Sequence, residues 1–297
     1  MSTTTSTTSP ATRRIARSNR QAFKKRAKAW TLSIILLVAM LITNMPLILT
    51  AINSLRPTID ILKGSTLFPK RLSLDNYVNV LQNTDFPTWF RNSIMIALIT
   101  TGFTLICSGC AGYSLSRYKT KVNAVWSSIL MAFQLFPIVL SVIALFVLFR
   151  IFGWLNTPMP AVILYVVMGL PFCTWMFKGF FDSIPRELEE AARVDGCTSF
   201  TAMYRIVLPL AGPGAAAVAI YAFLLAYNEY MVASAFLSQK QSVRTIPIGL
   251  RFFIQQYTTE WGQMLAVSTL AALPPLILFL LVQKWMIQGM AAGAVKG

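Results

Sequence analysis

The residues able to do chemistry in this chain are few, and one kind is missing. Among 297 residues there is no histidine. Ser-His-Asp and Cys-His catalysis, imidazole zinc ligands and imidazole pH switches are therefore excluded together. The four cysteines are Cys107, Cys110, Cys173 and Cys197. Cys107 and Cys110 have the C-x-x-C spacing of redox and zinc motifs. They stand in the apolar run LICSGCAGYSL, however, and read as small buried residues on one helix face. The chain has no G-x-x-x-x-G-K-[ST] loop and no Gly-Lys dipeptide, so it has no phosphate cradle of that type. Two carboxylate sites remain. Glu229 lies within the apolar stretch LLAYNEYMVAS, and Glu187, Glu189, Glu190 and Asp195 crowd the segment SIPRELEEAARVDG.

The elements that must position these groups are membrane spans. Apolar residues make up 56% of the chain and charged residues only 12%, against roughly 25% charged in soluble domains. A window of about 19 residues, matched to the thickness of a bilayer, gives six candidates, near residues 30–52, 92–115, 124–149, 159–180, 210–235 and 264–287. The third is the clearest, since residues 125–149 carry no charge. Each span must satisfy its own backbone in hydrocarbon, so an all-α membrane protein is expected. Lys and Arg outnumber Asp and Glu by 26 to 10. Most of the basic residues fall before the first span, after the second, after the fourth and at the C-terminus, so both termini are expected in the cytoplasm. Membrane orientation thus accounts for the positive balance, and nucleic acid is not required as a partner. Residues 1–29 form a Ser/Thr-rich, then basic tail without an acid. This tail is expected to be disordered or to lie on anionic lipid; an organellar transit peptide would share its composition.

The segment 181–209, between the fourth and fifth spans, is the most informative. Asp182 and Ser183 are N-cap types, Pro185 suits a first turn, and the glutamates complement a helix N-terminus. Gly196 is a C′-type stop, and Thr198 or Ser199 can cap a second short helix ending before Pro209. Ala191, Ala192 and Val194 sit beside carboxylates on an exposed connection, where small residues admit another surface and the acids offer it charge partners. A lipid-lying helix is the alternative, disfavoured because an anionic leaflet repels acids.

Glu190-Ala191-Ala192, Gly196, Ile206, Leu208 and Pro209 match the EAA signature, and the chain resembles the permease subunits of binding-protein-dependent ABC importers, carbohydrate branch, MalG-like. Further matching stretches are Ser54 to Pro57, Leu72 to Tyr77, Asn92-Ser93, Phe136-Pro137, Gly153 to Asn156, Pro171-Phe172 and Gly289 to Gly297; together the resemblance covers residues 30–297. It implies a type I importer fold with cytoplasmic coupling helices, in a bacterial inner membrane. The implied partners are a second permease, two ATPase subunits and a periplasmic solute-binding protein. This chain would bind no cofactor, and ATP and Mg would belong to the ATPase. The resemblance also implies that Glu190 faces a basic residue of the ATPase cleft and that the C-terminal residues offer a second docking segment.

Breaks in the spans are expected at Pro137, Pro171, Pro213 (within Gly212-Pro213-Gly214) and Pro274-Pro275, each a candidate hinge. Glu229 falls roughly 28 Å along the fifth span at 1.5 Å per residue. There it either lines an outer mouth with Tyr227, Asn228 and Tyr230 or reaches headgroups. The competing functions are a secondary carrier driven by an ion gradient, which needs intramembrane ionisable relays, and a non-transporting membrane scaffold. The cargo is not legible.

Overall fold

A computed structural model describes the backbone of residues 10–62, 71–254 and 260–294, and the side chains of most residues from 26 onward through 286. Gly289 to Gly297 lie outside the described side chains. The chain divides into two units, residues 1–52 and 53–297.

The first unit is most of helix α1 (Pro10–Ser54). Its segment Lys28–Ser54 is long and apolar enough to cross a bilayer, and Leu36, Met40 and Ile42 are each more than 60% exposed. The basic stretch, expected to be disordered or to lie on anionic lipid, is helical from Pro10. After Pro10 it contains no proline or glycine before the span and is rich in Ala, Arg and Lys. A helix already nucleated in the apolar segment therefore propagates through it at little cost.

The second unit begins with the short helix α2 (Thr58–Leu62) and with α3 (Asp75–Asn83). The long α4 (Phe86–Arg117) follows, then α5 (Lys121–Leu135), a 3-10 turn at Ile138–Ser141, α6 (Val142–Ile151) and α7 (Pro158–Asp182). Next come α8 (Glu187–Val194), α9 (Ser199–Ala202), a π turn at Met203–Val207 and α10 (Leu208–Leu210). The remainder is α11 (Gly212–Asn228), α12 (Met231–Leu237), α13 (Ile246–Leu250) and α14 (Trp261–Ala294). Among the described residues, four helices are long and apolar enough to span a membrane, or six if two bent pairs each count as one span.

The third expected span is not straight. The α5 segment meets Ile138–Ile151 at 84°, because Pro137 has no N–H to donate and drives Phe136 out of the helical region, to φ −79 and ψ 120. The fifth span also departs from its expected bounds. Ser199–Leu210 meets α11 at 78°, with Pro213 in the new first turn. The span then stops at Asn228, where Glu229 is extended, instead of running to 235. Pro171 and Pro274-Pro275 lie inside continuous helices. Pro171 is buried in the middle of α7, where its packed neighbours hold the helix in register, whereas Phe136 is 54% exposed and unsupported.

The core is built where α4, α7 and α11 meet. The α4 face buried there is short-chained: Thr100, Thr104, Ser108, Gly109 and Gly112. Such residues let membrane helices approach closely. A Cβ on Gly112 would stand 2.7 Å from Phe177 Cβ and 3.0 Å from both Lys178 N and Thr174 O. Cys107 and Cys110, expected to be buried, are instead exposed on the outer side of α4, because the smaller residues occupy the packed face.

Several of the signature stretches tie the opposite end of the unit together. Asn76 Nδ2 donates to Ser54 O at 2.9 Å and Arg56 O at 2.7 Å, and the Ser54 and Tyr77 hydroxyls are 2.5 Å apart. Asn92 Nδ2 donates to Ser242 O and Arg244 O, both at 2.9 Å, and Ile246 N donates to Ser93 Oγ at 2.8 Å. Gly153 and Asn156 have positive φ, of 68 and 57, in the turn from α6 to α7.

Candidate functional site

At the end of the unit where α4 and α7 finish, α8 to α10 cover residues 187–210. Asp182 and Ser183 do not cap α8. Asp182 ends α7, accepting from Lys178 Nζ and Ser116 Oγ, each at 2.6 Å, and Ser183 Oγ donates to Phe180 O. With these side chains engaged elsewhere, α8 starts later, at Glu187, without a side-chain cap. Its end follows the sequence reading. Gly196 has φ 87, and Cys197 N donates to Ala192 O at 3.0 Å while Gly196 N donates to Arg193 O at 3.0 Å. This is a left-handed C′ closure. Thr198 Oγ1 then accepts from Thr201 N at 3.2 Å and caps α9. The following helical stretch continues through the π turn to Leu210, so Pro209 lies within it and does not follow it.

The polarity of α8 is inverted. Only Glu189 and Ala192 are buried, whereas Val194 is 88% exposed and Leu188 43%. Phe200 and Tyr204, on the next two turns, are 71% and 64% exposed. Glu190, Ala191 and Gly196 share the open side; Ile206 and Leu208 are half-buried, and Pro209 is exposed. Val207 and Ala211 anchor the segment in a core with Tyr113, Phe177 and Phe181. Glu190 lines a cleft of about 260 Å³ with Arg117, Arg186 and Arg193.

The sequence reading counted Glu189 only as a first-turn acid. Its carboxylate accepts from Tyr113 Oη at 2.7 Å and from Arg117 Nε. The only sequence signal was its place three residues before Ala192, on the same helix face; its partners lie more than seventy positions away.

The second group does not converge. Glu229 turns inward: its oxygens accept from Met231 N at 2.7 Å, Val232 N at 3.0 Å and Ala233 N at 3.1 Å, and from Tyr165 Oη at 2.9 Å. It thus caps α12 from two positions before its first residue. Tyr227 is buried and donates to Ala271 O of α14 at 2.9 Å, Asn228 is exposed, and Tyr230 Oη accepts from Arg251 at 3.0 Å. A separate cavity of about 570 Å³ opens beside the bent third segment, lined mostly by apolar residues such as Phe133, Phe149, Trp154 and Val167, with Gln134 and Ser141 as its polar side chains.

Residues 105–292 match the family described as binding-protein-dependent transport system inner membrane component. The chain belongs to this family. Among curated relatives of this permease is the sulfoquinovosyl glycerol transport system permease protein SmoH of Agrobacterium fabrum, 34% identical over 79% of this chain and 82% of the relative. The trehalose/maltose transport system permease protein MalG of Thermococcus litoralis is 34% identical over 79% of this chain and 85% of its own. The fold is that of a chain in the crystal structure of a bacterial ABC transporter involved in the import of the acidic polysaccharide alginate. That comparison has a TM-score of 0.72 and 20% identity, over 94% of this chain and 99% of that one.

Proposed function

We propose that the chain is one permease of an ABC importer for a sugar or sugar derivative, and that α8 to α10 form the seat of a separate ATPase subunit. The observation that carries this reading is the inverted α8. Val194, Phe200 and Tyr204 are exposed on the same segment as the exposed Glu190, while the Glu189 charge is buried. Apolar anchors rimmed by charge are what a protein partner buries. The resemblance and the relatives' cargoes support the sugar class. ATP and Mg then reside on two ATPase subunits, a second permease completes the path, and a periplasmic binding protein delivers cargo.

The α8 end faces the cytoplasm, where most of the basic residues cluster. Counting each bent pair as one span makes six, which returns the C-terminus to the side of the N-terminus. The cavity beside the bent segment has few hydroxyl partners for a sugar, which fits a half-path closed by the second permease. An ion-driven carrier is less well supported, because Glu229, the carboxylate at the end of α11, is committed to α12 and Tyr165.

The test is a cysteine at Val194, crosslinked in membranes that contain the co-encoded ATPase. Capture of that subunit from Val194, and not from a cysteine at Leu74 on the opposite end, is expected. Equal capture from both positions, or none from Val194, would overturn the reading.

A further inference from the structure

We propose that Glu189, Arg117 and Tyr113 form the joint through which the coupling helix moves α4, making Glu189 and Arg117 positioning residues for ATP-driven transport. This rests on the ATPase seat proposed above and concerns how its motion is passed on. By chain connection, α8 is tied to α7 through residues 183–186 and to α9 through residues 195–198. A push on its open face would tilt it between those two links unless something holds its inner face to α4.

Glu189, 2% exposed, supplies the hold. One oxygen takes the Tyr113 hydroxyl and the other the Arg117 Nε. The remaining guanidinium nitrogens of Arg117 reach Phe181 O at 2.9 Å and Ile184 O at 3.2 Å, the last carbonyls of α7 and its link. Arg186 donates to Ser116 O at 2.9 Å from the other side. One cation therefore fastens α4, α7 and α8 at a point one residue from Glu190.

A buried ion pair is a poor choice for stability alone, because desolvation offsets its attraction and a pair of apolar residues would hold as well. What it adds is geometry. A planar guanidinium bonded in several directions fixes orientation, which apolar packing does less strictly. The receiving helix is suited to this, since α4 approaches the backbone of α7 closely at Gly112.

The experiment uses the full complex, purified with its second permease, ATPase and binding protein. Spin labels are placed at exposed Glu187→Cys and Tyr118→Cys, with the four native cysteines replaced. The Glu187–Tyr118 distance is expected to stay narrow and unchanged between the nucleotide-free and ATP–vanadate states. With Glu189→Ala the distribution is expected to broaden. Stimulation of ATP hydrolysis by the binding protein, as purified from cells, is then expected to fall on the order of three- to thirty-fold. Tyr113→Phe, which removes one bond and keeps the ion pair, is expected to fall between wild type and Glu189→Ala; it carries the test if Glu189→Ala fails to fold. A narrow distance and full stimulation in a variant complex that retains the ATPase would overturn the joint and leave the seat standing. A wild-type complex that holds no ATPase would overturn both.

Discussion

Gly112 and Gly109 lie three residues apart on one face of α4, and the same substitution is expected to have opposite effects at the two. At Gly112 a new Cβ meets Phe177 Cβ at 2.7 Å and two backbone atoms of α7 at 3.0 Å. Backbone cannot step aside, so α4 and α7 must part by roughly 1 Å to restore ordinary contact, and overpacking of this kind costs about 1–3 kcal/mol. At Gly109 the nearest atoms are ring carbons of Phe177 at 3.8 and 3.9 Å. There the methyl group fits, and replacing glycine in a helix gains about 0.5–1 kcal/mol. With Cys107, Cys110 and Cys197 replaced by serine, Cys173, fully buried in the same core, reports unfolding through a thiol-reactive dye. The dye midpoint of Gly112→Ala is expected several degrees below wild type and that of Gly109→Ala at or above it, since 1 kcal/mol is worth about 2–4 °C in chains of similar size. Equal midpoints, or a lower one for Gly109→Ala, would refute the account of the α4–α7 contact.

Three further outcomes follow from individual sites. Gly196 has open space around its absent Cβ and a φ of 87, so Gly196→Ala is expected to cost about 1–2 kcal/mol from backbone strain alone. Gly196→Asn should cost less, with ATPase retention on purification as the readout. Glu229→Gln exchanges one acceptor oxygen for a donor beside the backbone N–H groups of α12, a loss of about 1–3 kcal/mol. Its melting point should fall while cargo affinity of the assembled importer holds, and an affinity change at unchanged melting would point to cargo contact instead. Asn92→Ala removes both bonds to Ser242 and Arg244; the segment around residues 238–245 should then be cut faster by protease, with cleavage at the α8 end unchanged.

What was legible in the sequence depended on whether a residue's fate is local. Gly196 and Thr198 were readable because a left-handed stop and an N-cap involve neighbours within five positions. Asp182 had the same local credentials as a cap, but Ser116 and Lys178 claim its carboxylate. Hydropathy marked residues 124–149 as apolar and was blind to the bend within them, since an average over residues cannot register the missing N–H of Pro137. Glu189 was opaque for a related reason. A charge is buried only where a partner waits, and here the partner is on a helix that ends seventy residues earlier. The basic segment after Pro10 was misread because its composition was weighed without the helix that adjoins it.

The inward carboxylate of α8 limits how this segment can be exchanged between transporters. A chimaera that receives residues 187–210 from this chain also receives Glu189, and a host lacking an arginine and a tyrosine at the matching places on its own helix would enclose an uncompensated charge. That mismatch costs about 3–5 kcal/mol, enough to prevent assembly before any question of motor compatibility arises. The smallest transplantable unit therefore includes the last turn and a half of α4, two stretches of chain distant in sequence that must be inherited together.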